Sequence, residues 1–251
     1  MNTSKLIFLL LAGWIQGAIM VSHAQTLQDV NIGVLKPLKY SHIQPIDINN
    51  DGKTDIFHYG YDGTTYYTIF YASVGNFSFT LNATNLPAYA NMQTDWADFD
   101  NDGLMDVAIT GYTGGQRKCE VYKNQGNFTF SLIPSSLESL AFGNVRWADF
   151  NLDGKIDLLI NGTSALGRPL SRIYQNTGNN FLLVNSSLEG ITSSSTQCFD
   201  FDNDGWLDIF LVDGGSLADA QVAARARNAL YRNNRDGTFA DVTARSGLQP
   251  L

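Results

Sequence analysis

The chain has 251 residues, 44% of them hydrophobic, and carries 24 acidic against 16 basic side chains for a net charge of −8. An acidic chain without a basic stripe is a poor partner for nucleic acid. Two cysteines are too few for a miniature fold stapled by disulfides, and the length allows a full-sized core instead.

Residues 1–24 come first. Lys5 precedes an apolar stretch from Leu6 to about Met20, and Ser22-His23-Ala24 supplies a small-x-small cleavage pattern. This predicts a secretory signal peptide cut after Ala24. A membrane anchor is the alternative, opposed by the shortness of the stretch and by Gln16 within it. No later segment is apolar enough to span a membrane as a helix. The expected location is therefore secreted, periplasmic or cell-surface, with no membrane span after cleavage.

The next feature recurs every 51 residues. A nine-residue acidic loop, D-x-[DN]-x-D-G-x-x-D, begins at Asp47, Asp98, Asp149 and Asp200. A fixed period of this size marks a repeat architecture. The first loop offers Asp47, Asn49, Asp51 and Asp55, and the second Asp98, Asp100, Asp102 and Asp106. The third offers Asp149, Asn151, Asp153 and Asp157, and the fourth Asp200, Asp202, Asp204 and Asp208.

Oxygen atoms at positions 1, 3, 5 and 9 of a tight loop suit Ca²⁺, a hard cation that takes six to eight oxygen ligands. Glycine at position 6 admits the sharp turn. The backbone carbonyl of position 7, held by Lys53, Leu104, Lys155 and Trp206, completes the predicted shell. The expectation is one Ca²⁺ per loop, about four in all. Counting carboxylates alone, loops two and four should bind more tightly than loops one and three. Without metal, these clustered acids would repel one another.

An EF-hand is excluded by the residues on the C-terminal side of each loop. Position 12 is His58, Ile109, Ile160 and Leu211 rather than Glu, and the flanks do not read as helices. They are short apolar runs stopped by Gly, the pattern of buried strands. This also argues against a dockerin. A run centred on Tyr71, Tyr122, Tyr174 or Tyr231 follows in each repeat. A Gly/Asn turn comes next, then another run starting near Phe77, Phe128, Phe181 or Phe239. Each repeat thus reads as four short strands, the unit of a β-propeller blade. The repeats run over about 40–84, 90–133, 142–185 and 193–243.

The loops, together with Arg227-Asn-Ala-Leu-Tyr-Arg-Asn-Asn-Arg-Asp-Gly-Thr-Phe-Ala-Asp-Val-Thr243, resemble FG-GAP/VCBS repeats, the blades of the integrin α-chain type of propeller. The resemblance spans about residues 26 to 248. It implies an all-β propeller, calcium ligands at the loop positions named above, and a role in adhesion or ligand binding. The chain departs from its own pattern where Trp96 and Trp147 become Pro45 and Cys198. The family commonly closes a ring of about seven blades, whereas four are visible. Residues 26–30 read as an extra fourth strand, yet the last repeat already owns one. The phases therefore predict an open arc of four blades.

In a blade the acidic loops share one face with the third-to-fourth turns. The opposite face gathers the variable connections, which offer Tyr61, Tyr66, Tyr89, Tyr112, Arg117 and Arg168. Variable loops on a rigid scaffold are where binding usually lives, and aromatics with arginines suit sugar rings or protein hot spots. The expected partner is an extracellular glycan or protein. The longer connection from Gly214 to Arg227 has the Ala and Arg content of a short helix. Cys119 and Cys198 fall in non-neighbouring repeats and read as unpaired buried residues. Five N-x-[ST] triplets, at Asn76, Asn82, Asn127, Asn161 and Asn185, matter only in a glycosylating host. No nucleophile elbow, zinc motif or phosphate loop is present. The alternative function is a polysaccharide-active hydrolase or lyase using turn acids such as Asp62 and Asp213.

Overall fold

The computed structural model describes residues 35–178, 180–192, 195–214 and 228–247. The leader at 1–24, the extra strand at 26–30 and the helix expected within 217–227 lie outside the described residues.

The first sheet is β1 (Lys39–Ile46), β2 (Asp55–Tyr61), β3 (Tyr66–Gly75) and β4 (Ser78–Asn82). The second is β5 (Ala90–Ala97), β6 (Asp106–Thr113), β7 (Gln116–Asn124) and β8 (Phe130–Ile133). The third is β9 (Ala141–Ala148), β10 (Asp157–Thr163), β11 (Pro169–Asn176) and β12 (Phe181–Val184). The fourth is β13 (Ser195–Phe199), β14 (Asp208–Val212), β15 (Asn228–Asn233) and β16 (Phe239–Asp241). Every sheet is an antiparallel meander in chain order, and the four stand as blades of a propeller that is not closed among the described residues.

The apolar runs after the loops become the second strands for a simple reason. They are covered on both faces by neighbouring blades, so β6 and β10 are buried almost end to end and need no polar alternation. The first strands face one another. Trp147 N–H donates 2.8 Å to Asp95 Oδ2, and Arg146 Nε donates 2.9 Å to the Thr196 carbonyl. The fourth strands form the outer rim and expose Leu81, Leu132, Leu182 and Leu183.

The core lies in three seams between successive blades. Phe57 and Phe70 of the first blade meet Trp96 and Phe130 of the second, with Phe57 and Trp96 ring centroids 5.0 Å apart at 76°. Phe99 stacks on Trp147 at 5.8 Å in the second seam, and Ala148, Ile173 and Tyr231 share the third. Each such ring pair is worth roughly 0.5–1.5 kcal/mol beyond its buried area. Four blades in a row have three seams, whereas a closed ring of four would have a fourth. Among the described residues no strand of the first sheet pairs with one of the fourth.

Tyrosine hydroxyls anchor the connections. The N–H groups of Lys36, Glu138 and Glu189 donate to Tyr71, Tyr174 and Tyr231 at 2.8, 3.0 and 3.2 Å. The remaining tyrosine, Tyr122, instead donates 2.9 Å to Glu120. The position 51 residues after Lys36 is Pro87, which has no N–H to give.

Two details differ from the pattern expected of the sequence. Phe77 and Phe128 lie in the hairpin turns rather than at strand starts. Asn76 and Phe77 both have positive φ (51° and 58°), as do Asn127 and Phe128 (49° and 59°), the geometry that matches the twist of the flanking strands. The fourth strand therefore begins later, and Phe130 is the residue that reaches the core. Asn161 is fully buried and donates 2.6 Å to Thr196 Oγ1, so that sequon is occupied by packing. Cys119 and Cys198 are both unpaired, and burial pushes each thiol up to about 12.

Candidate metal sites and ligand face

The four acidic loops have one conformation. The position 1 carboxylate accepts the N–H groups of positions 5 and 6: at Asp98 these come from Asp102 and Gly103 at 2.9 and 2.8 Å. Asp47, Asp149 and Asp200 do the same for their own loops. The position 5 carboxylates of Asp51, Asp102, Asp153 and Asp204 accept the N–H of Lys53, Leu104, Lys155 and Trp206 at 2.9, 2.9, 2.9 and 3.0 Å. Gly52, Gly103, Gly154 and Gly205 have φ of 79° to 89°, where only glycine is unstrained. Position 4 also has positive φ, at Asn50, Asn101, Leu152 and Asn203. Asn in three copies out of four is the sequence signal for it.

Position 9 is built into the blade itself. Asp55, Asp106, Asp157 and Asp208 are at most 2% exposed. One oxygen of Asp106 accepts Phe99 N–H at 3.2 Å, and the other accepts Asn124 N–H, from the third strand, at 2.8 Å. The same pair of bonds recurs at Asp55, Asp157 and Asp208. Burial outweighs these donors and pushes the carboxyl of Asp106 up to about 7 and that of Asp157 to about 6. Asp55 and Asp208 shift upward for the same reason.

Near positions 1, 3 and 5 the balance is opposite. Lys123 Nζ contacts Asp100 and lies 2.9 Å from Asp102, holding the Asp102 carboxyl below the usual range. Arg232 lies 2.6 Å from Asp202 and 2.7 Å from Asp204, and Arg235 reaches Asp204 at 2.8 Å. Arg235, first among the causes, lowers Asp204. Oxygens of Asp98, Asp100 and Asp106 converge within 4.8 Å of one another, as do those of Asp200, Asp202 and Asp204. Asp100 Oδ1 is buried with no hydrogen-bond partner among the described residues. An orphaned carboxylate oxygen in an all-oxygen cluster that already attracts an ammonium group fits a hard cation. In loops one and three the position 3 amides of Asn49 and Asn151 lie against Asp51 and Asp153.

The opposite face collects the aromatic candidates unevenly. The Tyr61 and Tyr66 rings lie 4.8 Å apart, and Tyr61 Oη donates 2.7 Å to Gly63 O in its own turn. Tyr112 packs on Phe142 across the second seam at 5.6 Å. Arg117 is half-buried, and Arg168 is exposed on a third-blade turn. Asp62 accepts from Thr64 and Thr65, which hold its carboxyl well below the usual range, and pairs with Lys36 at 3.4 Å. Asp213 sits on the fourth blade and accepts from Thr192. The Asp62 bonds close its own turn, whereas Asp213 joins two segments 21 residues apart.

A crevice of about 270 Å³ opens between the first two blades, lined by Tyr40, Tyr59, Tyr66, Tyr89, Asn91 and Gln93. Its origin is a repeated bulge. Tyr40, Asn91 and Phe142, each 51 residues apart, have φ of 48°, 48° and 59° in the first strand of their blades. Room for the bulge comes from glycine on the second strand: a Cβ on Gly111 would lie 2.5 Å from Tyr89 Cβ. At the seam between blades two and three Phe142 fills the space against Tyr112. At the first seam the same position is Asn91, and the space stays open. Sequence reasoning misses Tyr40, Asn91 and Gln93, because positive φ at Tyr or Phe has no compositional mark.

Residues 47–109, 98–160 and 200–250 match the family described as FG-GAP-like repeat. No curated protein matches the chain. Among solved structures, the chain resembles a lectin from Agrocybe aegerita described for specific recognition of non-reducing terminal N-acetylglucosamine, with a TM-score of 0.46 and 13% identity. The match covers 80% of this chain and spans 64% of the lectin chain.

Proposed function

The chain belongs to the FG-GAP-like repeat family, and on that premise we propose that it is a secreted, calcium-stabilised binding module without catalytic activity, meeting an extracellular glycan or protein on the face opposite the acidic loops. Calcium is supported by the four like loops, the convergent oxygens of loops two and four and the orphaned Asp100 Oδ1. When bound, the ion supplies the positive charge that the loop carboxylates lack. Asp98, Asp100, Asp102 and Asp106, and their counterparts in the other blades, would hold it. Export rests on the leader pattern of residues 1–24.

The observation that carries the ligand face is the open crevice beside Asn91. Tyr40 is 89% exposed and Tyr66 37%, so two ring surfaces stand available next to the amides of Asn91 and Gln93. Rings for stacking plus convergent amides are how small polar ligands are held. A glycan array probed with the full chain tests this. Binding that is lost in Tyr66→Ala and Asn91→Ala, with calcium affinity unchanged, supports it. A hit bound equally well by both variants would place the ligand elsewhere.

A further inference from the structure

The four blades are an internal experiment. Loop position 3 reads Asn49, Asp100, Asn151 and Asp202. The residue after the anchoring tyrosine, on the third strand, reads Ala72, Lys123, Gln175 and Arg232. The extra carboxylate occurs only in the two blades that carry a base at this third-strand position, and there the two touch. Lys123 Nζ bridges Asp100 and Asp102, and Arg232 bridges Asp202 and Asp204. Where position 3 is Asn151, the third-strand residue is a neutral amide whose Nε2 lies 3.5 Å from Asp153 Oδ2. Where it is Asn49, Ala72 offers nothing.

We infer that Lys123 and Arg232 are built-in counter-cations of the second and fourth loops, pairing with the position 3 and 5 carboxylates and competing with a divalent cation for them. The inference rests on the reading that the loops take such a cation. It reverses the ranking that carboxylate count alone gives: loops one and three become the tight sites and loops two and four the weak ones.

An ion at positions 3 and 5 must share those carboxylates with the base, which already engages Asp100 Oδ2 and Asp102 Oδ2, and an ammonium or guanidinium a few ångströms away repels it. The base is tethered to the same blade, so it competes at a high effective concentration whatever the solution contains. Lys53 offers only a partial version in loop one, engaging the position 5 carboxylate where Lys123 and Arg232 engage both position 3 and position 5. Its Nζ reaches Asp51 alone at 3.0 Å, from position 7 of the loop itself, and its counterpart Lys155 turns to the Thr177 carbonyl at 3.4 Å. Arg235 strengthens the device in the fourth blade by holding Asp204 from the hairpin turn.

Calcium titration calorimetry on the full chain tests it. Wild type should show two tight and two weak sites. Lys123→Gln should tighten one weak site by about tenfold, and Arg232→Gln with Arg235→Gln should tighten the other by a similar factor. Each neutral variant should also melt lower than wild type in EGTA, because the counter-charge is gone. Lys123→Arg keeps the charge and should leave affinity near wild type, which separates charge from folding damage. Four equal sites unchanged by Lys123→Gln would overturn this inference and leave the loop reading intact. Absence of calcium heat in every variant would overturn both.

Discussion

The side-chain amide of Asn176 donates 2.8 Å to the carbonyl of Phe99, 77 residues away in the acidic loop of the preceding blade. It also donates to Ile156 O in its own loop, and its Oδ1 accepts Gly178 N–H in the hairpin. Asn124 and Asn233 repeat the arrangement toward Ile48 and Phe150, at 3.0 and 2.9 Å. Each clamp ties the loop of one blade to the loop of the next, so loop order is shared along the row.

Removing this clamp strands the buried Phe99 carbonyl and loses the bond to the part-buried Ile156 carbonyl. Asn176→Ala should cost about 2–4 kcal/mol, the sum of roughly 1–3 kcal/mol for an unsatisfied buried group and about 1 kcal/mol for the bonds lost. Urea denaturation at fixed calcium measures it. A loss under about 0.5 kcal/mol, below the usual net worth of one hydrogen bond, would mean that water replaces the amide.

Leu152 has a φ of 57° and is half exposed, in a loop position that is Asn in the other three copies. A non-glycine residue there costs about 1–2 kcal/mol, and Asn relieves part of it. Leu152→Asn should therefore raise stability by up to about 1 kcal/mol. A lower melting temperature would show that the leucine packs on something essential.

Burial raises the carboxyl of Asp95 above its ordinary value, although Oδ2 accepts Trp147 N–H. The folded state then holds the proton more tightly than the unfolded chain, whose value is about 3.9. Through this residue, stability falls as pH rises from the unfolded value through the folded one, and is regained on acidification across that window. Asp95→Asn keeps an acceptor for Trp147 and carries no charge. It should be at least as stable as wild type at pH 7 and should lose this part of the pH dependence. Melting curves at pH 5 and pH 7 decide, and a variant clearly weaker at pH 7 would contradict the burial argument.

The loops are legible in the sequence because the same acidic and glycine positions recur at a fixed 51-residue spacing, and the second strands because burial on both faces removes alternation. By spacing alone Tyr122 is a copy of Tyr71, Tyr174 and Tyr231. Its different partner traces to Pro87, and the 51-residue period makes that visible once the other three bonds are known. The bulge at Tyr40, Asn91 and Phe142 is not legible, since Tyr and Phe at positive φ leave no trace in composition and Asn91 alone sets no period. Nor are the contacts of Lys123 and Arg232, because their distance from the loops in sequence hides that the third strand passes beside them.

Calorimetric melting of the full chain in 1 mM Ca²⁺ and in EGTA tests most directly whether the acidic loops hold divalent cations on which the fold depends. A ligand at 100 times its Kd adds about 2.7 kcal/mol per site, so occupied loops should raise the melting temperature by several degrees and make it dependent on calcium concentration. A melting temperature that is the same in calcium and in EGTA would contradict the account.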